Sequence, residues 1–376
     1  MSPVGEIPKD YSSKAVEEEA SKLWAERRIP EKVREREAEK KFYFLDGPPY
    51  VTNPIHVGTA WNKTLKDAYI RYLRMNGFFV RDQPGFDMHG LPIEVMVEKK
   101  MGIKSKKEIE TLGIDKFIGS CKQFALDNLK VATRQFENLG VWMDWDRPYK
   151  TLENSYIESV WWLIKRAEER KLLGRGKKIV HWCPRCETVL AGYEATDEYR
   201  DVEEDSIYVK FKLEGKEGEH IMIWTTTPWT LPANVAVMVH PDFMYAKVRA
   251  GGETFIVAEG RVGEVCKDLG IPYEVVETMP GSDLKGLRYV APLQEEVPKQ
   301  SELAPAHLVV LSEKYVTLGE GTGCVHCAPG HGEEDHEVGE ENGLPDFCPV
   351  DERGRFTPDG GKYYGMGVRD ANPVIM

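Results

Sequence analysis

The sequence predicts an α/β protein in two parts, a doubly wound parallel sheet followed by a compact β-rich, barrel-like domain. Three observations carry this expectation. A strand–loop–helix pattern occurs twice before Met101, helical spacing dominates as far as Gly174, and short β-branched runs separated by Gly, Pro and Asp turns take over after about residue 200.

Taken in order, Ser12–Arg28 places Val16, Ala20, Leu23 and Trp24 at helical spacing and should end before Pro30. Phe42–Leu45 reads as a short, fully buried strand, closed by Gly47-Pro48-Pro49, since two prolines cannot continue a ladder. Gly58–Met75 returns to helical spacing through Trp61, Leu65, Ala68, Tyr72 and Leu73, with Asn76-Gly77 as a left-handed stop. Phe78–Val80 starts the next strand, and the loop Gly85–Gly90 leads into a helix with Pro92 in its first turn. Such alternation implies parallel strands with right-handed crossovers, a Rossmann-type arrangement whose ligand site lies at the carboxyl ends of the strands, where both loops sit. Capping boxes at Ser105/Glu108 and Ser155/Glu158 announce further helices, the second running through Trp161, Trp162 and Ile164 to Gly174. The strands expected beyond are Ser206–Phe211, Ile221–Thr227, Val235–Val239 and Thr254–Val257.

A chain of 376 residues exceeds the size at which single cores usually split, and 41% apolar with 30% charged residues is ordinary globular composition. The formal charge of −12 argues against a blanket positive field for coating nucleic acid, though a local patch can still hold one shaped RNA. Met1–Pro8 has no apolar stretch behind a basic one, and no run is long enough to span a bilayer, so secretion and membrane insertion are not expected. Four of the seven cysteines form Cys-x-x-Cys pairs, Cys183/Cys186 and Cys324/Cys327, which reads as metal or redox chemistry in a reducing compartment, here the cytoplasm.

His56-Val57-Gly58-Thr59 places a histidine at a helix start and a glycine where a nucleotide can approach the backbone. Free N–H groups and the helix dipole favour phosphate there. The second strand-end loop reads Gly85-Phe86-Asp87-Met88-His89-Gly90-Leu91-Pro92. On local residues alone, Asp87 is a helix-capping aspartate and Gly47-Pro48 a turn. Together these motifs resemble class I aminoacyl-tRNA synthetases, in the isoleucine branch of that family, and the match extends over nearly the whole chain. His56-Val57-Gly58-Thr59 stands where the family has its "HIGH" tetrapeptide, with Thr59 replacing the final histidine. The resemblance implies that Asp87 holds the substrate ammonium, with His89 beside it, and that Gly47 and Pro48 form a wall of the amino-acid pocket. It also implies attack by the isoleucine carboxylate on the α-phosphate of ATP, with Mg²⁺, then acyl transfer to the acceptor end of tRNA(Ile) by a monomer. Positioning and charge stabilisation suffice for that chemistry.

One methylene separates isoleucine from valine, too little for a single pocket to reject, so a second, hydrolytic site is expected. Trp224–Asn234 carries Thr225, Thr226 and Thr227 and resembles the family's threonine-rich editing peptide; unaided, it is a strand entering a proline turn. Gly321–Asp335 resembles the second editing peptide. By that resemblance Asp335 anchors the ammonium of a mischarged valine, Asn234 and His326 line the site, and Cys327 stands where threonine is usual. Cys183 and Cys186 make a zinc half-site lacking two ligands, which Cys324/Cys327 could supply, although those alternate like a buried strand. His331, Asp335 and His336 lack the spacing of a helical metal-hydrolase motif.

The resulting division is a helical lead-in (residues 1–40), the first half of the nucleotide sheet with a helical connective segment (41–177), a zinc-knuckle-like connector (178–200) and a slightly truncated editing insert (201–376). Neither the family's lysine-bearing second signature nor the returning half of the sheet occurs, so the chain looks like a fragment. Hydrolysis or tRNA-end binding is then its expected residual activity, and activation should be impaired. The alternatives are the valine branch, disfavoured by the Asp87–Glu94 loop, a stand-alone tRNA-editing hydrolase, and a non-catalytic tRNA-binding protein.

Overall fold

The computed structural model describes residues 11–196 and 199–376, so the readings of Met1–Pro8 and of positions 197–198 lie outside the described residues. The chain divides into two compact units, residues 1–175 and 176–376.

The first unit opens with α1 (Ser13–Arg27), capped by the Ser12 hydroxyl, which accepts from the Ala15 amide at 3.3 Å. Arg28 turns left-handed (φ 51°), and α2 (Ile29–Glu35) starts at once with Pro30 in its first turn. Pro30 therefore begins a helix where the sequence suggested only an end, because proline costs nothing at a position whose N–H has no helical partner. Strands β1 (Lys40–Leu45) and β2 (Phe78–Gln83) pair in parallel, with α3 (Val57–Met75) as the crossover and Gly77 (φ 78°) as its left-handed exit. β1 is not fully buried: Phe42 and Phe44 pack on the core, whereas Tyr43 and Leu45 are 57% and 59% exposed. Among the described residues this sheet has only two strands, so one face of β1 is uncovered.

The buried stripe of α3 is Lys63, Asp67, Ile70, Leu73 and Arg74, so of the expected apolar positions Leu73 packs inward while Trp61, Leu65 and Tyr72 face outward. Its charges find partners inside. Asp67 accepts the Trp142 amide at 2.7 Å and pairs with Arg71, and Arg74 meets Asp82 of β2 at 2.9 Å. Then follow α4 (Leu91–Met101), α5 (Lys106–Leu112) and α6 (Ile114–Asn138). The Ser105/Glu108 box forms only in part: Glu108 accepts from the Lys104 amide and the Ser105 hydroxyl, both at 3.2 Å, but the Ser105 side chain caps no helix amide. The Ser155/Glu158 box does not form: α7 (Asn154–Glu169) has Glu153 at its cap, two residues early, and stops short of Gly174, where Lys171 turns left-handed. Gly85–Phe86 pairs in parallel with Tyr149–Lys150, and a Cβ on Gly85 would lie 2.1 Å from the Tyr149 ring, so only glycine fits.

The second unit begins with an antiparallel pair, Trp182–Cys183 with Thr188–Val189. Its longer strands are β3 (Ile207–Leu213), β4 (Glu219–Thr225), β5 (Ala236–Val239), β6 (Met244–Ala250), β7 (Glu253–Ala258), β8 (Glu274–Pro280), β9 (Tyr289–Val290), β10 (Val309–Leu311) and β11 (Cys324–Cys327). They build a six-stranded sheet, ordered β8-β6-β7-β4-β3-β9, and a three-stranded sheet, β10-β5-β11. Phe211, Ile221, Ile223, Val237, Val239 and Ile256 belong to one core that draws on both sheets. The expected barrel is not found, since neither sheet closes among the described residues. Closure demands a consistent stagger around the ring, whereas β9 has two residues and β8 meets β6 with a register shift at Lys247/Val248. No helix among the described residues is long and apolar enough to cross a membrane.

Candidate functional site

In the first unit His56 caps α3, its Nδ1 accepting from the amides of Gly58 (3.1 Å) and Thr59 (3.4 Å). Nδ1 is therefore unprotonated and the Nε2–H is free to donate. The two amides expected to be open to phosphate are already used, because the neighbouring ring satisfies them locally. A Cβ on Gly58 would come within 3.0 Å of that ring, so glycine is what lets the imidazole fold back. His56 and Thr59 line a cavity of about 300 Å³ with Tyr50, Asn53, Phe86 and Phe136, while Val57 points to solvent.

The second loop joins the first through the main chain: the Asp87 amide donates to the Pro49 carbonyl at 2.9 Å, and Asp87 bridges Tyr50. Buried Thr151 organises this loop. Its hydroxyl accepts from the Met88 amide (2.9 Å), donates to Asp87 Oδ1 (3.3 Å) and lies 2.6 Å from His89 Nδ1. With its one hydrogen given to Asp87, the hydroxyl must accept from a His89 protonated at Nδ1. His89 lines a separate cavity of about 230 Å³ with Ile93, Phe117 and Ile157. Asp87, Gly47 and Pro48 are on neither lining.

Behind Gly47, the buried Asp46 carboxylate pairs with Lys63 and, at 2.8 Å, with Lys66, and accepts the Gly85 amide at 3.2 Å. One side chain thus ties the end of β1, α3 and the start of the second loop. Lys63 also lies 5.3 to 5.9 Å from the ring centres of Phe86, Phe136 and Trp145. Burial, then the charge of Lys66, lowers its ammonium to about 7.

In the second unit the threonine-rich turn leaves the end of β4. Thr225 Oγ1 accepts the Thr227 amide at 3.1 Å and lies 3.2 Å from Thr227 Oγ1. Thr227 Oγ1 in turn lies 3.5 Å from Thr230 Oγ1, which donates to the Thr227 carbonyl at 2.8 Å. Thr230 Oγ1 is 2.9 Å from Nε2 of His326 on β11, and His326 Nδ1 is 2.9 Å from the Asn234 amide nitrogen. Burial, then the neighbouring His331, lowers His326 to about 3, so it is neutral.

The same strand carries the second peptide. Just past its end the Ala328 amide donates to Asp335 Oδ2 at 3.0 Å, and the Cys327 thiol donates to the Asp335 carbonyl at 3.7 Å. Asp335 sits in the first turn of α8 (Glu333–Asn342), where burial raises its carboxyl to about 6 against the pull of the Ala328 amide. Trp229 and His331, one from each peptide, meet edge to face at 5.2 Å and line a cavity of about 710 Å³ with Trp182 and Lys178.

The family profile described as tRNA synthetases class I (I, L, M and V) matches residues 19–319. The chain belongs to that family. It is 53% identical to the isoleucine--tRNA ligase of Pyrococcus abyssi (strain GE5 / Orsay) over 378 residues, covering 98% of this chain and 35% of that protein. It is likewise 53% identical to that of Methanothermobacter marburgensis (strain Marburg) over 376 residues, 100% and 35% of the two chains. The chain thus spans about a third of the length of the curated relatives it matches. Among solved structures, a ternary complex of Agrobacterium radiobacter K84 agnB2 LeuRS with tRNA and LeuAMS aligns with 90% of this chain and 44% of that one. The identity there is 20% and the TM-score 0.40.

In this chain the two loops of the first unit meet through the main chain, but His56 and His89 line different cavities and Asp87 lines neither, while Thr225, Thr227, Asn234 and His326 fall in one hydrogen-bonded chain. Thr226 is exposed and stands outside it. Cys324 and Cys327 are buried on β11, and among the described residues no three His, Cys, Asp or Glu side chains are grouped to hold a metal. The Cys183/Cys186 turn has the Cys186 amide donating to Cys183 Sγ at 3.4 Å, but two thiols do not fill a tetrahedron, and the described residues supply no further ligands for zinc there. Asp46, Lys63, Thr151 and Tyr289 were missed by sequence reasoning. Lys63 with Asp67 at helical spacing reads as a solvated face, and Asp46, Thr151 and Tyr289 carry no local signal.

Proposed function

We propose that the second unit hydrolyses the aminoacyl ester of mischarged valyl-tRNA(Ile), and that the first unit carries part of the site where isoleucine is activated with ATP and Mg²⁺ for transfer to tRNA(Ile). The observation that supports this best is the meeting of two distant peptides at the end of β11: His326 reaches the threonine turn while Asp335 is held by Ala328. Asp335 would anchor the substrate ammonium, since a partly buried cation needs a paired anion. The half-buried Thr227 hydroxyl would place the attacking water or the terminal ribose, and the cavity beside Trp229 and His331 has room for a nucleoside. No protein nucleophile is required.

In the first unit His56 Nε2–H would donate to the phosphates of ATP, with Mg²⁺ arriving on those phosphates, and Asp87, oriented by Thr151, would meet the isoleucine ammonium. Activation is expected to be weak, because the sheet that frames this site has two strands among the described residues.

The test is a paired assay on the 376-residue chain. Valine release from valyl-tRNA(Ile) is expected without ATP, alongside little isoleucine-dependent ATP–pyrophosphate exchange. Binding of the tRNA without release would favour a non-catalytic module instead. A related expectation concerns Gly332, whose Cβ would sit 2.6 Å from Asp335 Oδ2. Gly332→Ala should push that carboxylate off the Ala328 amide and lower hydrolysis about 10-fold, the scale of losing one charge-assisted hydrogen bond, with a melting temperature close to wild type.

A further inference from the structure

Asn234 lies at 0% exposure with every polar atom engaged, and the identities of its partners fix which way its amide points. Its nitrogen is 3.0 Å from the Ala236 carbonyl, which can only accept, so the NH₂ group faces that way. The second N–H then points at His326 Nδ1, 2.9 Å off, which must be unprotonated. What remains is Asn234 Oδ1, which needs a donor, and Tyr289 Oη supplies it at 2.6 Å. On the far side of the imidazole, Thr230 has already given its one hydrogen to the Thr227 carbonyl, so its oxygen must accept from His326 Nε2–H. The count closes without remainder from Tyr289 to the threonine turn.

From this accounting we infer that Tyr289 is a positioning residue for the hydrolytic site, locking the Asn234 amide and through it the Nε2–H tautomer of His326 that aims the threonine hydroxyls. The inference rests on the hydrolytic reading above and deepens it. Tyr289 lies on β9, distant in sequence from both peptides, and reaches the first of them through the Asn234 side chain. Its ring is held by packing that does not involve the hydroxyl: it stacks on His307 at 5.5 Å and leans on Phe211 at 5.2 Å. The same region steadies the turn a second time, for His307 bonds Gln300 at 2.7 Å and Gln300 donates to the Pro232 carbonyl at 2.7 Å. The hydroxyl of Tyr289 is therefore separable from its ring, and Phe should fill the site without a cavity.

Tyr289→Phe is expected to lower kcat for release of valine from valyl-tRNA(Ile) about 10-fold, the scale on which outer partners of a functional imidazole act, with KM within about twofold. Nitrogen NMR of the labelled imidazoles gives a readout that a merely structural role would not move. In the wild-type chain His326 should show an unprotonated Nδ1 and a protonated Nε2, and in Tyr289→Phe a mixture of tautomers. A folded variant with wild-type kcat, or with an unchanged His326 spectrum, overturns the inference, as does an Nδ1–H tautomer in the wild-type chain itself. Absence of hydrolysis by the wild-type chain would instead defeat the hydrolytic reading, while the spectra still decide the lock.

Discussion

Asp335→Ala is expected to cut hydrolysis of valyl-tRNA(Ile) by about 100-fold, the loss that follows when one partner of a buried charge pair is truncated, and to leave the second unit at least as heat-stable as before. The two halves of that expectation share a cause. Burial raises the Asp335 carboxyl to about 6, so the protein holds the charged form at a cost that only a cationic ligand repays. A group whose folded pKa is raised contributes its stabilisation below the unfolded value, near 3.8, and loses it as pH climbs past about 6. At pH 8 the ionised side chain is therefore a liability to the fold, and removing it does not destabilise. For activity the sign is opposite, because the ammonium needs the carboxylate. In the wild-type chain kcat/KM should rise through about pH 6 on its acid side, and Asp335→Ala should lack that limb. A flat profile in the wild type would separate Asp335 from the reaction.

The largest effect on stability is expected at Asp46. Asp46→Ala leaves Lys63, 1% exposed, without its carboxylate, and breaking a buried pair from one side costs about 3–5 kcal/mol. The loss should be greater at pH 6 than at pH 8, since Lys63 can relieve its isolation only by giving up a proton, which acid opposes. Adding Lys63→Met should return most of the stability, as both charges are then gone and the methionine can pack among Phe86, Phe136 and Trp145. Urea unfolding of the three chains tests this, and a single variant as stable as wild type would contradict the role given to Asp46. Because Asp46 also accepts the Gly85 amide, the single variant should loosen the loop that carries Asp87.

What the sequence made legible was the sort of feature that depends on near neighbours. The stop at Asn76-Gly77, the proline start of α4 and the strand-end positions of both loops follow from local sterics, and all were readable. Ser155/Glu158 failed because a capping box competes with whatever the preceding turn prefers, and here Glu153 provides the cap position two residues earlier. α3 was recognised as a helix, but of the apolar residues that marked it Leu73 is buried and Trp61, Leu65 and Tyr72 are exposed. Trp61, Leu65 and Tyr72 made the apolar stripe look decisive, yet Asp67 and Arg74 find buried partners at Trp142 and Asp82, which no pattern within the helix announces.

The same limit governs the sites. His56, Asp87, the threonine turn and Asp335 stand in motifs, so sequence alone can point to them. Thr151, Thr230 and Tyr289 act through hydrogen bonds that include partners far off in the chain, and an isolated Thr or Tyr carries no such signal. The barrel-like expectation failed for a related reason, since closure depends on edge strands, and the two-residue β9 leaves nothing to pair.

The central claim is that the threonine turn and the Asp335 peptide make one hydrolytic site. A structure of this chain with a non-hydrolysable valyl-adenosine analogue, its ester oxygen replaced by nitrogen, tests it most directly. The account predicts the valyl ammonium within hydrogen-bond reach of Asp335, the acyl carbon facing the Thr227 hydroxyl and the adenine in the cavity of Trp229 and His331. An analogue bound with its ammonium turned away from Asp335, or seated outside the second unit altogether, would contradict it.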